Sequence, residues 1–346
     1  MPTKRIPYID LAKGICILLV VLSHAFNYYG QTSELNRTVG MFRMPLYYIL
    51  SGLFFKTYEG LWGLTVRKIN KLLVPIAFFS VIAIVAGHFL FNAPWPTSPA
   101  NAFETAMHYN LPIWFLFSLF HINILFYLII LVVSHVWKTD RGQRFATCII
   151  ALCVGLFGLA LSQTDINLPL YTGQALVGMP FFVFGWGLRQ FTDFLHQPFH
   201  RRRDSMAIVL FLTLTAAMTS TVHFVDNYFD RQALFTLYPC GAMGAVALLL
   251  IAKLFTRIPL ISYCGHYSII ILCTHFIIIQ VLRFPIMRFG YEFQLGTTTQ
   301  MWINFAVSLD LSIALIPVGR HIFPHFTAQR DLFPLPKKPQ PAAKPV

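Results

Sequence analysis

Three ionisable side chains share the first apolar stretch of this chain: Asp10, Lys13 and His24. Such residues are expensive inside an apolar helix, about 2.5–3.5 kcal/mol for the acid or the lysine, and they usually mark a site. Lys13 and His24 are eleven residues apart. On an α-helix that is close to three whole turns, so both lie on one face about 16 Å apart along the axis. Gly14, Ile17 and Val21 fall between them on that face. Asp10 and Lys13, at i,i+3 spacing, are placed to pair. Arg43 opens a second apolar stretch, in Phe42-Arg43-Met44-Pro45-Leu46, near the His24 end of the first. A second imidazole, His275, lies inside the ninth stretch, while His266 and His121 suggest no role. Histidine serves as a general base near neutral pH, or as a step in a proton pathway. Spacing alone leaves both open, beside a plain interfacial Asp10–Lys13 pair with the lysine reaching to the headgroups.

The elements that must position these residues follow from composition. Of 346 residues, 56% are hydrophobic, 34 are Phe and only 11% are charged, against roughly 25% charged in a soluble domain. A soluble globular fold, a disulfide scaffold and a disordered chain are excluded. A spanning helix needs about 20 apolar residues, with its backbone polar groups satisfied internally. Ten apolar runs meet or approach that length: Ile6–Tyr29, Met41–Phe55, Leu72–Phe91, Leu111–Val136, Phe145–Leu161, Leu168–Leu188, Met206–Val225, Ala233–Ala252, Leu260–Leu282 and Thr299–Val318. The expectation is an all-α, polytopic membrane helix bundle of about ten transmembrane helices. One membrane domain would cover residues 1–328. The Pro- and Lys-rich residues 329–346 read as a disordered cytoplasmic tail. The first run carries Asp10 and Lys13 and reads as a retained helix, not a cleaved leader.

The net charge is +13, from 26 Lys+Arg against 13 Asp+Glu. With ten spans, 20 of the 26 cations fall on the side of the termini, in the tails and in loops such as Lys56–Lys71, Lys138–Arg144, Arg189–Arg203 and Lys253–Arg257. Only Arg37, Arg231, Arg283 and Arg288 fall opposite. The excess of Lys and Arg in cytoplasmic loops puts both termini in the cytoplasm. Cations scattered over short loops do not suit nucleic-acid binding. The six cysteines show no CxxC or metal-ligand spacing, so free thiols and no metal are expected. No phosphate-binding loop, dinucleotide fingerprint, GxSxG or HExxH occurs.

The chain resembles the type-3 membrane acyltransferases, multi-pass bacterial proteins that O-acylate glycans. The resemblance rests on an ordered set of motifs: Asp10-x-x-Lys13-Gly14 with Val20-Val21-x-x-His24, then Met44-Pro45-Leu46-Tyr47-Tyr48-x-x-Ser51-Gly52. Lys68-x-x-Lys71-Leu72-Leu73-Val74-Pro75, Trp114-Phe115-Leu116, Pro180-Phe181-Phe182 with Gly185, and Gly265-x-x-Ser268 before His275 follow in the family's order. The family often has Arg where this chain has Lys13, Lys68 and Lys71; lysine keeps the charge without the bidentate fork. The opening motif is most similar to sugar O-acetyltransferases, including those acting on enterobacterial common antigen and on fucose.

What the resemblance implies is acyl transfer from cytoplasmic acyl-CoA, most simply acetyl-CoA, to a hydroxyl of a surface or lipid-linked glycan at the bacterial inner membrane. CoA would be a substrate, and no bound cofactor is expected. His24 would act as general base or acyl relay. Asp10 would pair with Lys13, and Lys13, Lys68 and Lys71 would meet the CoA phosphates. Arg43 would orient the acceptor or stabilise the developing oxyanion. His275 would line the same cavity. A proton-coupled transporter or flippase of a sugar or lipid-linked sugar is the rival reading, and oligomeric state is left open.

Overall fold

A computed structural model describes residues 5–27, 34–221, 233–289 and 297–336. Its helices are α1 (Pro7–Asn27), α2 (Glu34–Leu53), α3 (Gly60–Lys68), α4 (Val74–Phe91), α5 (Pro99–Tyr109), α6 (Trp114–Val136) and α7 (Asp140–Leu161). Then come α8 (Thr172–Phe191), α9 (Arg201–Thr221), α10 (Ala233–Phe255), α11 (Pro259–His266), α12 (Ser268–Phe289), α13 (Thr297–Ala314) and α14 (Ile316–His321). No strand occurs among the described residues. Lys4, Arg231, residues 337–346 and the link between α1 and α2 at 28–33 lie outside them.

Among the described residues every apolar run carries helix, and the packing says where the grease goes. One buried core runs through the bundle, while large apolar side chains also cover its outside: Phe89 is 70% exposed, Met206 66% and Phe157 61%. Water would not tolerate that exterior; hydrocarbon would. The protein is a multi-pass membrane protein. Among the described residues, six helical stretches suffice by length and hydropathy to cross a bilayer, and a seventh counts if the pair Pro259–His266 and Ser268–Leu282, bent by 87°, is one span. That is fewer than the ten expected. The helices over the remaining runs are long enough but more polar: α2 begins Glu34-Leu35-Asn36-Arg37, and α9 begins with three arginines and Asp204.

Helices in a bilayer gain little from hiding apolar surface from each other, so close packing of small residues must hold them. Two reciprocal contacts do this. A Cβ at Gly14 would stand 1.9 Å from the carbonyl oxygen of Ile261, and one at Gly265 would stand 1.8 Å from that of Asp10. α1 and α11 therefore touch backbone to backbone. α2 and α8 do the same: Gly52 meets the Phe182 carbonyl and Gly185 the Ile49 carbonyl, both at 1.9 Å.

The basic ends gather together. Lys253 donates to the carbonyls of Phe194 and Gln197 (3.3 Å for the second), and Tyr8 donates to that of Leu195 at 3.2 Å. Arg189 donates to the Phe55 carbonyl at 2.7 Å, and Arg144 to the Gln190 carbonyl at 3.3 Å.

Residues 329–336 do not form the structureless tail expected of their composition. A π-helical turn, Ile69–Leu73, joins α3 to α4 and turns Asn70 toward them. Asn70 is fully buried; its Oδ1 accepts from the Leu332 and Phe333 amides at 3.0 and 2.8 Å, and its Nδ2 donates to the Phe333 carbonyl at 2.9 Å. One side chain satisfies both backbone groups of Phe333, which proline-rich sequence cannot do for itself. Phe78 stacks on Phe326 at 5.2 Å beside it.

Two outcomes are expected. Gly265→Ala should destabilise the bundle by about 1–3 kcal/mol through overpacking, whereas Gly173→Ala, with nothing within 4 Å of its added methyl, should not. Thermal unfolding in detergent reads both; equal midpoints would contradict the backbone contact. Asn70→Ala should speed trypsin cleavage after Arg330, whose side chain is already exposed, by freeing the backbone around it, and an unchanged cleavage rate would show that Asn70 does not hold the segment.

Candidate active site

His24 lies in the last turn of α1, and α12 brings His275 against it. His24 Nδ1 is 2.9 Å from His275 Nε2, with the rings stacked at 26° and 5.1 Å between centroids. His275 is fully buried, and its Nδ1 is 2.8 Å from the carbonyl oxygen of Ile271, one turn back in the same helix. A carbonyl only accepts, so Nδ1 of His275 must carry a proton. In the neutral pair, His275 Nε2 is then a lone pair and must accept from His24 Nδ1–H. The chain of two bonds leaves His24 Nε2 as the basic nitrogen. This tautomer assignment follows from the hydrogen-bond network.

Supporting bonds hold the pair. Asn110, fully buried before α6, donates to the Cys273 carbonyl at 2.9 Å, two residues from His275. The Cys16 thiol lies 2.8 Å from the Arg43 carbonyl and ties α1 to α2, and Tyr47 donates to the Lys13 carbonyl at 3.2 Å.

His24 and Arg43 open onto one cavity of about 540 Å³. It is formed between the end of α1, the middle of α2 and the first halves of α6, α8, α10 and α12. Its wall is mainly aromatic and apolar: Tyr48, Trp114, Tyr171, Phe181 and Phe276 contribute rings, and Gln174 a polar group. The Tyr48 hydroxyl is fixed by Ser118 at 2.5 Å. Gly178 leaves room for its ring, since a Cβ there would come within 2.8 Å of it. Tyr171 sits at φ 60°, a left-handed conformation rare for an aromatic residue. Arg43 is 7% exposed, and its Nη1 has no hydrogen-bond partner among the described residues.

The remaining candidates are placed elsewhere. His275 does not line the cavity; it stands behind His24. Asp10 is not paired with Lys13. Arg5 takes it in a two-pronged bond, Nε to Oδ2 at 2.5 Å and Nη2 to Oδ1 at 2.9 Å. Arg5 precedes the helix and folds back over its first turn, a geometry that a fork reaches and that helical spacing does not anticipate. Lys13, partly buried, forms no ion pair among the described residues. Lys71 donates to the Ala328 carbonyl at 2.8 Å and meets Asp331 at 3.3 Å, so the C-terminal segment occupies it. Lys68 lies one turn before it, partly buried. No group of three or more potential metal ligands occurs among the described residues.

Tyr171 and Gln174 carried no signal in the sequence. Tyr48, Trp114 and Phe181 did, as members of motifs without an assigned role.

The site is thus a cavity in a helical membrane bundle, walled by rings and faced by an oriented imidazole. The chain belongs to the type-3 acyltransferase family: that family's acyltransferase domain matches residues 6–317. The protein is therefore a membrane acyltransferase, as the ordered motifs suggested. No curated protein and no solved structure matches it.

Proposed function

We propose that the protein is an O-acetyltransferase of the bacterial inner membrane, moving acetyl from cytoplasmic acetyl-CoA to a hydroxyl of a surface or lipid-linked glycan. The observation that carries this reading is His24, oriented by His275 behind it, on the wall of a cavity lined by aromatic rings. The acceptor hydroxyl attacks the thioester carbonyl while His24 Nε2 takes its proton. As the tetrahedral intermediate collapses, the C–S bond breaks, the ester C–O bond remains, and the proton goes to the departing thiolate. When His24 is protonated its Nδ1–H becomes a charged donor, and its bond to His275 strengthens. His275 thus positions the base and supports its cationic form, the part a carboxylate plays in hydrolase triads.

Ten helical passes with both termini cytoplasmic suit this chemistry. Supporting them are the clustered basic ends and the opposite location of the cavity. Lys13 and Lys68 face the donor's phosphates in this arrangement. Lys13 lies about 16 Å below His24 on one helix face, a separation of the order of an extended pantetheine arm. Lys71 holds the C-terminal segment and is not assigned to CoA.

The test is transfer of labelled acetyl from acetyl-CoA to glycan by the reconstituted protein. His24→Ala should lower it by about 10²–10⁴-fold. His275→Phe should also lower kcat, and His275→Gln, whose amide oxygen can still accept from His24 Nδ1–H, should restore part of it. Glycan crossing the bilayer without label, or full transfer by His24→Ala, would sink the reading. Equal losses in the Phe and Gln variants would remove the positioning role of His275.

A further inference from the structure

We infer that the acceptor bears its own anion, a carboxylate or phosphate, which pairs with Arg43 in the cavity while His24 addresses a nearby hydroxyl. The inference rests on the acetyltransferase reading above and specifies its substrate class.

Arg43 is the reason. It is 93% withdrawn from solvent by its 7% exposure. Its Nη1 has no hydrogen-bond partner, and it forms no ion pair among the described residues. Burying a guanidinium unpaired is costly, and that cost is recovered only when an anion arrives. Among the described residues the wall of the cavity contains no Asp or Glu, so none of them supplies one. On this inference the ligand brings the anion.

The donor is a poor source of this anion. Its thioester has to reach His24, and its phosphates then extend toward Lys13, about 16 Å away along α1. The oxyanion of the reaction is a poor source too, because it exists only during turnover. A fixed charge on the acceptor neutralises Arg43 throughout the bound state. A guanidinium is also shaped for this partner, offering two parallel N–H groups to a carboxylate or phosphate. The rest of the wall fits a sugar: Trp114, Tyr171 and Phe181 offer flat faces to a pyranose, and Gln174 can meet a hydroxyl. The anion is then either a carboxylate on the sugar ring or the phosphate joining the sugar to a carrier lipid.

Binding of three probes to the full-length protein in detergent separates these cases: methyl glucoside, methyl glucuronide and glucose 1-phosphate. At least one charged probe should bind at least about 30-fold more tightly than the neutral one. Preference for the glucuronide assigns a ring carboxylate, and preference for glucose 1-phosphate assigns a linking phosphate. Arg43→Gln should reduce the preference to within about threefold, and Arg43→Lys should retain part of it. If the wild type binds all three alike, the inference is overturned, whatever the variants do. It is also overturned if Arg43→Gln folds and weakens all three equally. Failure of the acetyltransferase reading would appear separately, as absence of labelled acetyl transfer with the charge preference intact.

Discussion

Helices that share a bilayer have no water to escape by associating, so their contacts must come from shape. In this protein two pairs of glycines set that shape. Gly14 and Gly265 bring α1 and α11 to backbone distance, and Gly52 and Gly185 do so for α2 and α8. The first pair fixes the base of α1, and His24 three turns above inherits the position. The second fixes α2, which carries Arg43, against α8, which carries Gln174 and Phe181. The four glycines make no chemistry themselves, yet they decide how far apart the chemical groups stand. Small residues at helix crossings are the general solution where dispersion and hydrogen bonds replace the hydrophobic effect.

The break at Tyr267 complements this. α11 and α12 meet at 87°. A straight helix pressed to α1 at Gly265 would have to run along it or diverge from it for its whole length. The bend lets the chain touch α1 once through glycine and again, ten residues later, through His275. Asn110 then pins α12 by the Cys273 carbonyl. The imidazole pair is thus held by contacts from three parts of the chain far apart in sequence.

This separates what could be read from sequence from what could not. Helices were legible because apolar runs have nowhere else to go, and the motif set placed the family. His24 and Arg43 were legible as ionisable residues in a costly setting, and the structure brings them to one cavity. The partner of His24 was not, because residues 251 positions apart share no periodicity. Asp10 was assigned to Lys13 by helical spacing, which says nothing of Arg5 folding back from before the helix. The docking of residues 329–336 was hidden by a proline-rich composition, and only the buried amide of Asn70 makes it favourable. Of the ten runs, six or seven have helices apolar enough to cross a bilayer among the described residues; the others, such as those on α2 and α9, have polar ends that a count of apolar runs leaves out.

The hydrogen-bond chain that orients His24 ends at the carbonyl of Ile271. A carbonyl oxygen in a helix does not pass protons on. The two imidazoles, though adjacent, therefore form a dead end for charge, not a wire through the bundle. Backing His24 with an acceptor that cannot relay closes the inner end of the chain, so any proton that reaches His24 has its exit on the cavity side.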